Sequence, residues 1–296
     1  MNAQELHKQS SQVSLLHVLP VEVFAAAHIP GSHNACVYET AFLDHVKSLG
    51  LDPAAPLIVY GAGEGSLDAI TAAAKLRLAG FSHVETFEGG LSEWQAAGFV
   101  LDGTGALPLS PVPDGEFIAD TAQSLIRWTG RNLFNHHSGF VKLSHGEVLL
   151  SHGQMTSARF VIDMTTVGCE DIEDAEMNAM LLAHLRTTDF FDTGNYPTAE
   201  FVAESVEQIE AGTDGTPNFR LHGTFSLRGI SKRLEFPVVI ATKDAGHHIT
   251  AQGVLELDRT DFGSHYGSGK FFRFLGQHLV NDHIQLHVKI HARKKT

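Results

Sequence analysis

The residues best placed for chemistry lie in one stretch, Pro56-Leu57-Ile58-Val59-Tyr60-Gly61-Ala62-Gly63-Glu64-Gly65-Ser66. Leu57 to Tyr60 is a continuous apolar run that reads as a buried parallel strand. The alanine-rich segment Leu67 to Ala79 reads as a helix closed by Gly80. A tight loop between a strand and a helix can hold a nucleophile or aim backbone N–H groups at an anion. Gly61, at the strand's end, has no side chain and so offers no thiolate. Gly61, Gly63 and Gly65 could instead cradle a phosphate, with Glu85 reaching a ribose. Their spacing is not that of a dinucleotide fingerprint, however, and Glu64 would repel the anion. The simpler reading is a loop that glycine makes easy to fold.

The other candidates are histidines and cysteines. His283, His287 and His291 recur every four residues. On a helix they would form a metal face, but the surrounding period-two pattern says strand, where four residues span about 13 Å. They then share an outer face and no common metal. His136-His137 and His247-His248 are expected in turns. No HExxH or CxxC spacing is present, so no metal and no cofactor is expected. Cys36 and Cys169 make no disulfide framework and fit a reducing compartment.

The formal net charge of −13 over 296 residues argues against a nucleic-acid or anionic-membrane partner reached by general electrostatics. No stretch approaches the roughly 18 apolar residues of a membrane span. The polar start, Met1 to Val13, lacks the pattern of a secretory signal. The expectation is a cytoplasmic protein with no integral membrane segment.

The elements that must position these residues change type near residue 105. Before it, short apolar runs alternate with helical patterns: strands near Leu15–Leu19, Leu57–Tyr60 and Val84–Phe87, and helices near Val21–Ala27, Glu39–Ser48, Leu67–Ala79 and Leu91–Ala97. The Pro- and Gly-rich stretch Leu101 to Gly115 reads as a linker. The expected domains are 1–103 and 116–296, joined by 104–115. In the second, apolar residues alternate. Phe160, Ile162 and Met164 share a face, as do Phe225 and Leu227, and Leu255 and Leu257. Leu234 to Ile240 alternates as well, with Pro237 hinting at an edge or bulge. Met177, Met180, Leu181 and Leu185 fall at helical spacing.

The first half resembles the rhodanese family through His28-Ile29-Pro30-Gly31-Ser32-His33-Asn34 and Glu88-Gly89-Gly90-Leu91-Ser92-Glu93-Trp94. That resemblance implies a parallel α/β sheet with a nucleophilic cysteine after the central strand. Here Gly61 holds that position, the loop lacks the usual arginine, and Leu15-Leu16-His17-Val18-Leu19 replaces the family's Asp-Val-Arg. The implied module keeps the scaffold without sulfur transfer, and Cys36 is expected in the core.

The second half resembles the YceI-like family. Three segments carry the likeness: Leu185-Arg186-Thr187-Thr188-Asp189-Phe190-Phe191-Asp192 with Tyr196-Pro197 and Phe201, Gly223 to Lys232, and Arg259-Thr260-Asp261-Phe262-Gly263. The resemblance implies an antiparallel, lipocalin-like β-barrel with one helical insertion that binds polyisoprenoid lipids. The partner it implies is an isoprenoid or other long-chain lipid, and a homodimer is left open. The expected ligand-binding set is Phe160, Ile162, Met164, Met177, Met180, Leu181, Phe191, Phe201, Phe225, Leu227, Leu255, Leu257 and Phe262, with the stripe of Met177, Met180, Leu181 and Leu185 covering one end of the barrel as a partial lid. A tunnel of several hundred Å³ is expected, as typical ligand pockets have. Arg131, Lys270, Arg273 and His278 are candidate headgroup contacts. The alternative is a rhodanese-fold binder of a small anion or sulfur species beside a barrel with a filled core.

Overall fold

The computed structural model describes residues 1–63, 65–105, 112–210, 213 and 215–295. The chain divides into two compact units, Met1–Leu109 and Ser110–Thr296.

In the first unit, strands β1 (Ser14–His17), β2 (His33–Asn34), β3 (Leu57–Tyr60) and β4 (Val84–Phe87) form a parallel sheet in the order β2-β1-β3-β4. Every residue of β3 is buried, which explains its unbroken apolar run. Helices α1 (Ala3–Gln9), α2 (Val21–Ala26), α3 (Phe42–Ser48), α4 (Asp68–Leu78) and α5 (Gly90–Ala96) accompany the sheet. Helix α1 was not expected. Asn2 and Glu5 form a capping box at its start, a signal readable in the sequence. Its Ala3 and Leu6 are fully buried.

The His-Ile-Pro-Gly-Ser turn is pinned from the sheet. Tyr60 Oη accepts the Ile29 N–H at 2.9 Å and donates to Ser32 Oγ at 2.8 Å. Thr104 and Gly105, at the start of the expected linker, donate backbone N–H groups to Ala25 O and Ala26 O. Gly115, its last residue, opens the first strand of the second unit. Residues 106–111 of that segment lie outside the described residues.

The second unit is a closed antiparallel barrel. Its strands are β5 (Gly115–Ala119), β6 (Leu125–Arg131), β7 (His136–Ser151), β8 (Gln154–Cys169), β9 (Thr198–Gln208), β10 (Phe219–Leu227), β11 (Ile230–Lys243), β12 (His248–Asp258) and β13 (His283–Lys294). The short strands β5 and β6 share one slot, each pairing with β7 on one side and β13 on the other. Nine strands therefore fill eight positions, a size whose interior holds side chains or one small ligand. Helix α6 (Ala175–Leu185) is inserted between β8 and β9, with Asp174 accepting the Met177 N–H as its N-cap.

His136 and His137 open strand β7 rather than occupying a turn. They pair with Arg131 and Gly130 of β6, so the turn falls on 132–135. His247 does lie in a turn, and His248 begins β12.

Pro237 sits where the β11–β12 ladder ends. Pairing runs from Val238–Gly253 to Lys243–His248 and goes no further toward the other end. The Pro237 carbonyl faces Gly253, 3.0 Å from where a Cβ would stand. Its nitrogen, which carries no hydrogen, faces the same way, so the missing donor falls where the strands part.

Candidate functional site

The barrel encloses a cavity of about 150 Å³. Phe160, Ile162 and Met164 line it from β8, Phe225 and Leu227 from β10, and Leu255 and Leu257 from β12. Phe191 and Phe201 join them from the segment after α6 and from β9. Sequence reasoning missed the contributions of β6, β7 and β13, among them Ile126, Trp128, Val141 and Leu286. The alternation Ile284-Leu286-Val288-Ile290 was the available signal for the last of these. Among the described residues, Gln252 is the only one in the lining with a polar side chain apart from the Trp128 indole.

Four expected residues stand elsewhere. Phe262 is buried and packs edge-on against Phe225 at 5.5 Å, behind the lining rather than in it. Leu181 faces a second chamber. Met177 and Met180 are 61% and 67% exposed and line neither cavity. Helix α6 meets the barrel through Leu181, Leu182 and Leu185, so its apolar stripe is narrower than the i, i+3, i+4 reading allowed. The cavity is also smaller than the several hundred Å³ expected, because the rings of Phe160, Phe201, Phe225 and Phe236 project into the lumen.

Two motif arginines hold the elements over this end of the barrel. Arg228 and Gly229 form the two-residue β10–β11 turn, both at positive φ. Arg228 donates to Phe190 O at 2.6 Å, Gly263 O at 2.9 Å and Thr188 O at 2.9 Å. Arg259 is buried and donates to Ser264 O, Asn281 O and Val280 O. Burial pulls its pKa down, while Asp282 and Asp258 oppose that shift. Lys270 is ion-paired with Asp258. Burial pushes the Asp258 carboxyl up, but hydrogen bonds from Lys270 and Thr260 outweigh it and bring the pKa to about 2. Arg131 and His278 line the second chamber, whereas Lys270 and Arg273 do not.

In the first unit, the loop after β3 is filled by the protein's own carboxylate. Asp68, the first residue of α4, accepts the Ala62 N–H at 2.9 Å, the Ser66 hydroxyl at 2.8 Å and the Ala69 N–H at 2.6 Å. A Cβ on Gly61 would lie 2.3 Å from the Asp68 carboxyl carbon. Gly90 approaches the same loop, where its φ of +53° and the 2.4 Å from a would-be Cβ to Gly61 O call for glycine. Glu64 lies outside the described residues. His17 is fully buried beside this loop, and its Nε2 has no partner among the described residues. Burial, with His28 adding to it, lowers its pKa to about 4 against a weaker pull from Asp68. Cys36 is buried and free. Cys169 donates to Asp171 Oδ1 at 3.2 Å, and burial together with that bond pushes its thiol pKa up.

Among the described residues, no group of three His, Cys, Asp or Glu side chains converges as a metal site would. Among them, too, no helix is long and apolar enough to cross a membrane.

The fold and its lumen define a two-unit protein, a parallel α/β module and an apolar-lined antiparallel barrel. A YceI-like domain matches residues 117–292, and the chain belongs to that family. A rhodanese-like domain matches residues 2–97. A UPF0312 protein of Pseudomonas fluorescens is 31% identical over 88 residues, 27% of this chain and 42% of that protein. The chain thus spans about two fifths of that curated relative's length. Among solved structures, Burkholderia cenocepacia BcnA is 22% identical, with a TM-score of 0.46 over 58% of this chain and 98% of that one. A polyisoprenoid binding domain from Saccharophagus degradans is 12% identical, with a TM-score of 0.46 over 60% and 98%. The rhodanese-like domain of the Anabaena sp. Alr3790 protein is 30% identical, with a TM-score of 0.28 over 31% and 92%.

Proposed function

We propose that the protein binds a long-chain, isoprenoid-type lipid in the barrel lumen and performs no chemistry of its own. The observation that carries this reading is the cavity itself, which is enclosed by a closed barrel and lined almost without exception by apolar side chains. Each buried CH₂ contributes roughly 0.8 kcal/mol, so an alkyl or isoprenoid chain binds such a lumen without specific polar contacts. A cavity near this volume accepts a benzene-sized group as it stands. A longer chain requires the lining phenylalanines to change rotamer. Membership of the YceI-like family supports the same ligand class.

The rhodanese-like unit serves in this reading as an interaction module. Gly61 stands where that family carries its cysteine, and Asp68 occupies the loop where an anion would sit. This arrangement also counts against the alternative of a small-anion binder. A cyanide–thiosulfate assay is expected to give no thiocyanate above buffer. Formation that Cys36→Ser abolishes would overturn that part of the reading. The two free thiols suit a reducing, cytoplasmic setting.

Mass spectrometry of the native protein is expected to find a copurifying isoprenoid or long-chain lipid. Fluorescent-lipid titration should saturate at one site per chain. If neither finds a ligand, the lumen is structural and the lipid reading fails.

A further inference from the structure

The chain holds 19 phenylalanines, and four of them are exposed: Phe134, Phe271, Phe272 and Phe274. All four lie at one end of the barrel, in the β6–β7 turn and the β12–β13 connection. Phe274 stands fully in solvent, and Phe134 is 77% exposed next to an exposed Leu133. Single exposed apolar residues are ordinary, but a group of them marks an interaction surface.

The two segments are fastened side by side. Asn132 bridges to Val280, and the Asn281 N–H donates to Arg131 O at 2.9 Å. The Val280 N–H donates to Gly267 O at 2.9 Å, which closes residues 267–280 into a compact loop with Lys270-Phe271-Phe272-Arg273-Phe274 at its tip. Phe274 has a φ of +58°, a left-handed conformation that a bulky residue seldom adopts, so the backbone is strained where it presents that ring to water.

Charge indicates what the surface meets. The formal net charge is −13, yet no aspartate or glutamate occurs from Phe262 to Asn281 or from Thr121 to Gly146. Lys270 is paired with Asp258 and Asp282, whereas Arg131 and Arg273 meet no carboxylate among the described residues. The patch is therefore aromatic, projecting and cationic on an acidic chain. A second copy of the chain would have to offer a pocket to each projecting ring. A bilayer interface takes such rings without one, and its phosphates face the unpaired guanidinium groups. The acid excess elsewhere repels the same phosphates, so this end approaches first.

We propose that this end of the barrel is a docking surface for an anionic lipid bilayer. Phe272 and Phe274 enter the interface, Leu133 and Phe134 widen the apolar footprint, and Arg131 and Arg273 face the headgroups. The proposal rests on the patch alone. It gives the lipid-binding reading a source for its ligand, since a long-chain lipid is drawn from a membrane rather than from water.

The test is flotation of the full chain with vesicles of phosphatidylcholine alone and of equal parts phosphatidylcholine and phosphatidylglycerol. The mixed vesicles should bind the protein, the neutral ones about tenfold more weakly, and added salt should reduce the difference. Phe272→Ser combined with Phe274→Ser changes two exposed side chains and should weaken binding about tenfold or more. Arg273→Gln should weaken binding to the mixed vesicles about fivefold and leave the neutral ones unchanged. Equal flotation of the wild type and the double variant would overturn the proposal. So would failure of the wild type to bind the mixed vesicles, and a dimer that the double variant dissociates in sedimentation equilibrium would then assign the patch to a second copy. Titration with a fluorescent isoprenoid alcohol, without vesicles, reads the lumen separately, and the double variant should match the wild type there. Saturation in that titration without vesicle binding sinks the docking surface and leaves the lumen reading standing. Vesicle binding without saturation does the reverse.

Discussion

His17 shows how one residue sets a pH dependence. Its imidazole is fully buried, and its pKa in the folded state is about 4 against 6.5 in the unfolded chain. Above pH 6.5 it is neutral in both states and its full contribution is present. Between 6.5 and 4 only the unfolded chain takes up the proton, so stability falls as pH falls. The loss is about 3 kcal/mol across that window and levels off below pH 4. Denaturation of a Trp128→Phe variant, in which Trp94 alone reports on the first unit, should show this slope, and His17→Phe should flatten it. Gly61 makes a second case. Gly61→Cys places a Cβ against the Asp68 carboxyl, so the variant should be destabilised by about 1–3 kcal/mol through overpacking, and a cyanide–thiosulfate assay of it should give no thiocyanate above buffer. Combined with Asp68→Ala it should cost less than the sum of the two single changes, since the clash and the loop hydrogen bonds share one carboxylate, which a double-mutant cycle would measure.

Among the elements, α6 and the β12–β13 connection decide how the barrel end is closed. Met177 and Met180 face outward, so changing both to serine should leave lipid uptake unaltered and stability within about 0.5 kcal/mol. Leu185 is buried in the barrel core, and Leu185→Ala should cost about 2–4 kcal/mol. Arg259→Ala should cost about 3 kcal/mol or more, since it orphans three backbone carbonyls and leaves Asp282 with Lys270 as its one cation among the described residues. Arg259→Lys should recover little of that, because an ammonium cannot reproduce the planar fork that reaches all three oxygens. Thermal melts of these variants check the order.

For the whole molecule, the proposed lipid binding requires the lumen to stay open. Leu255→Trp fills the cavity from β12 without adding a charge. Lipid uptake should drop at least tenfold while the melting temperature holds. Met164→Asp should abolish uptake too, but it buries an unpaired carboxylate and should lower the melting temperature as well. Unchanged uptake in Leu255→Trp would place the ligand elsewhere on the molecule.

The sequence by itself carried the change from an α/β half to an antiparallel β half, because each rests on a periodicity that local residues carry, while the closed barrel came from the motif resemblance. The unbroken Leu57–Tyr60 run could only be a doubly covered strand, and the alternation through Phe160, Ile162 and Met164 fixed which face of β8 turned inward. The lining from β8, β10 and β12 followed from the same rule, whereas that from β6, β7 and β13 did not. The fate of α6 did not, since a helical stripe names the residues able to face a partner but not how wide a strip the partner covers. Met177 and Met180 were therefore indistinguishable in sequence from Leu181 and Leu185. Tertiary structure alone decided that Asp68 turns back into the loop beside Gly61, that Trp128 stands between two cavities with its N–H unpaired, and that aromatic rings narrow the lumen. Each of these depends on which side chains meet across strands far apart in the chain, and a meeting of that kind leaves no period to read.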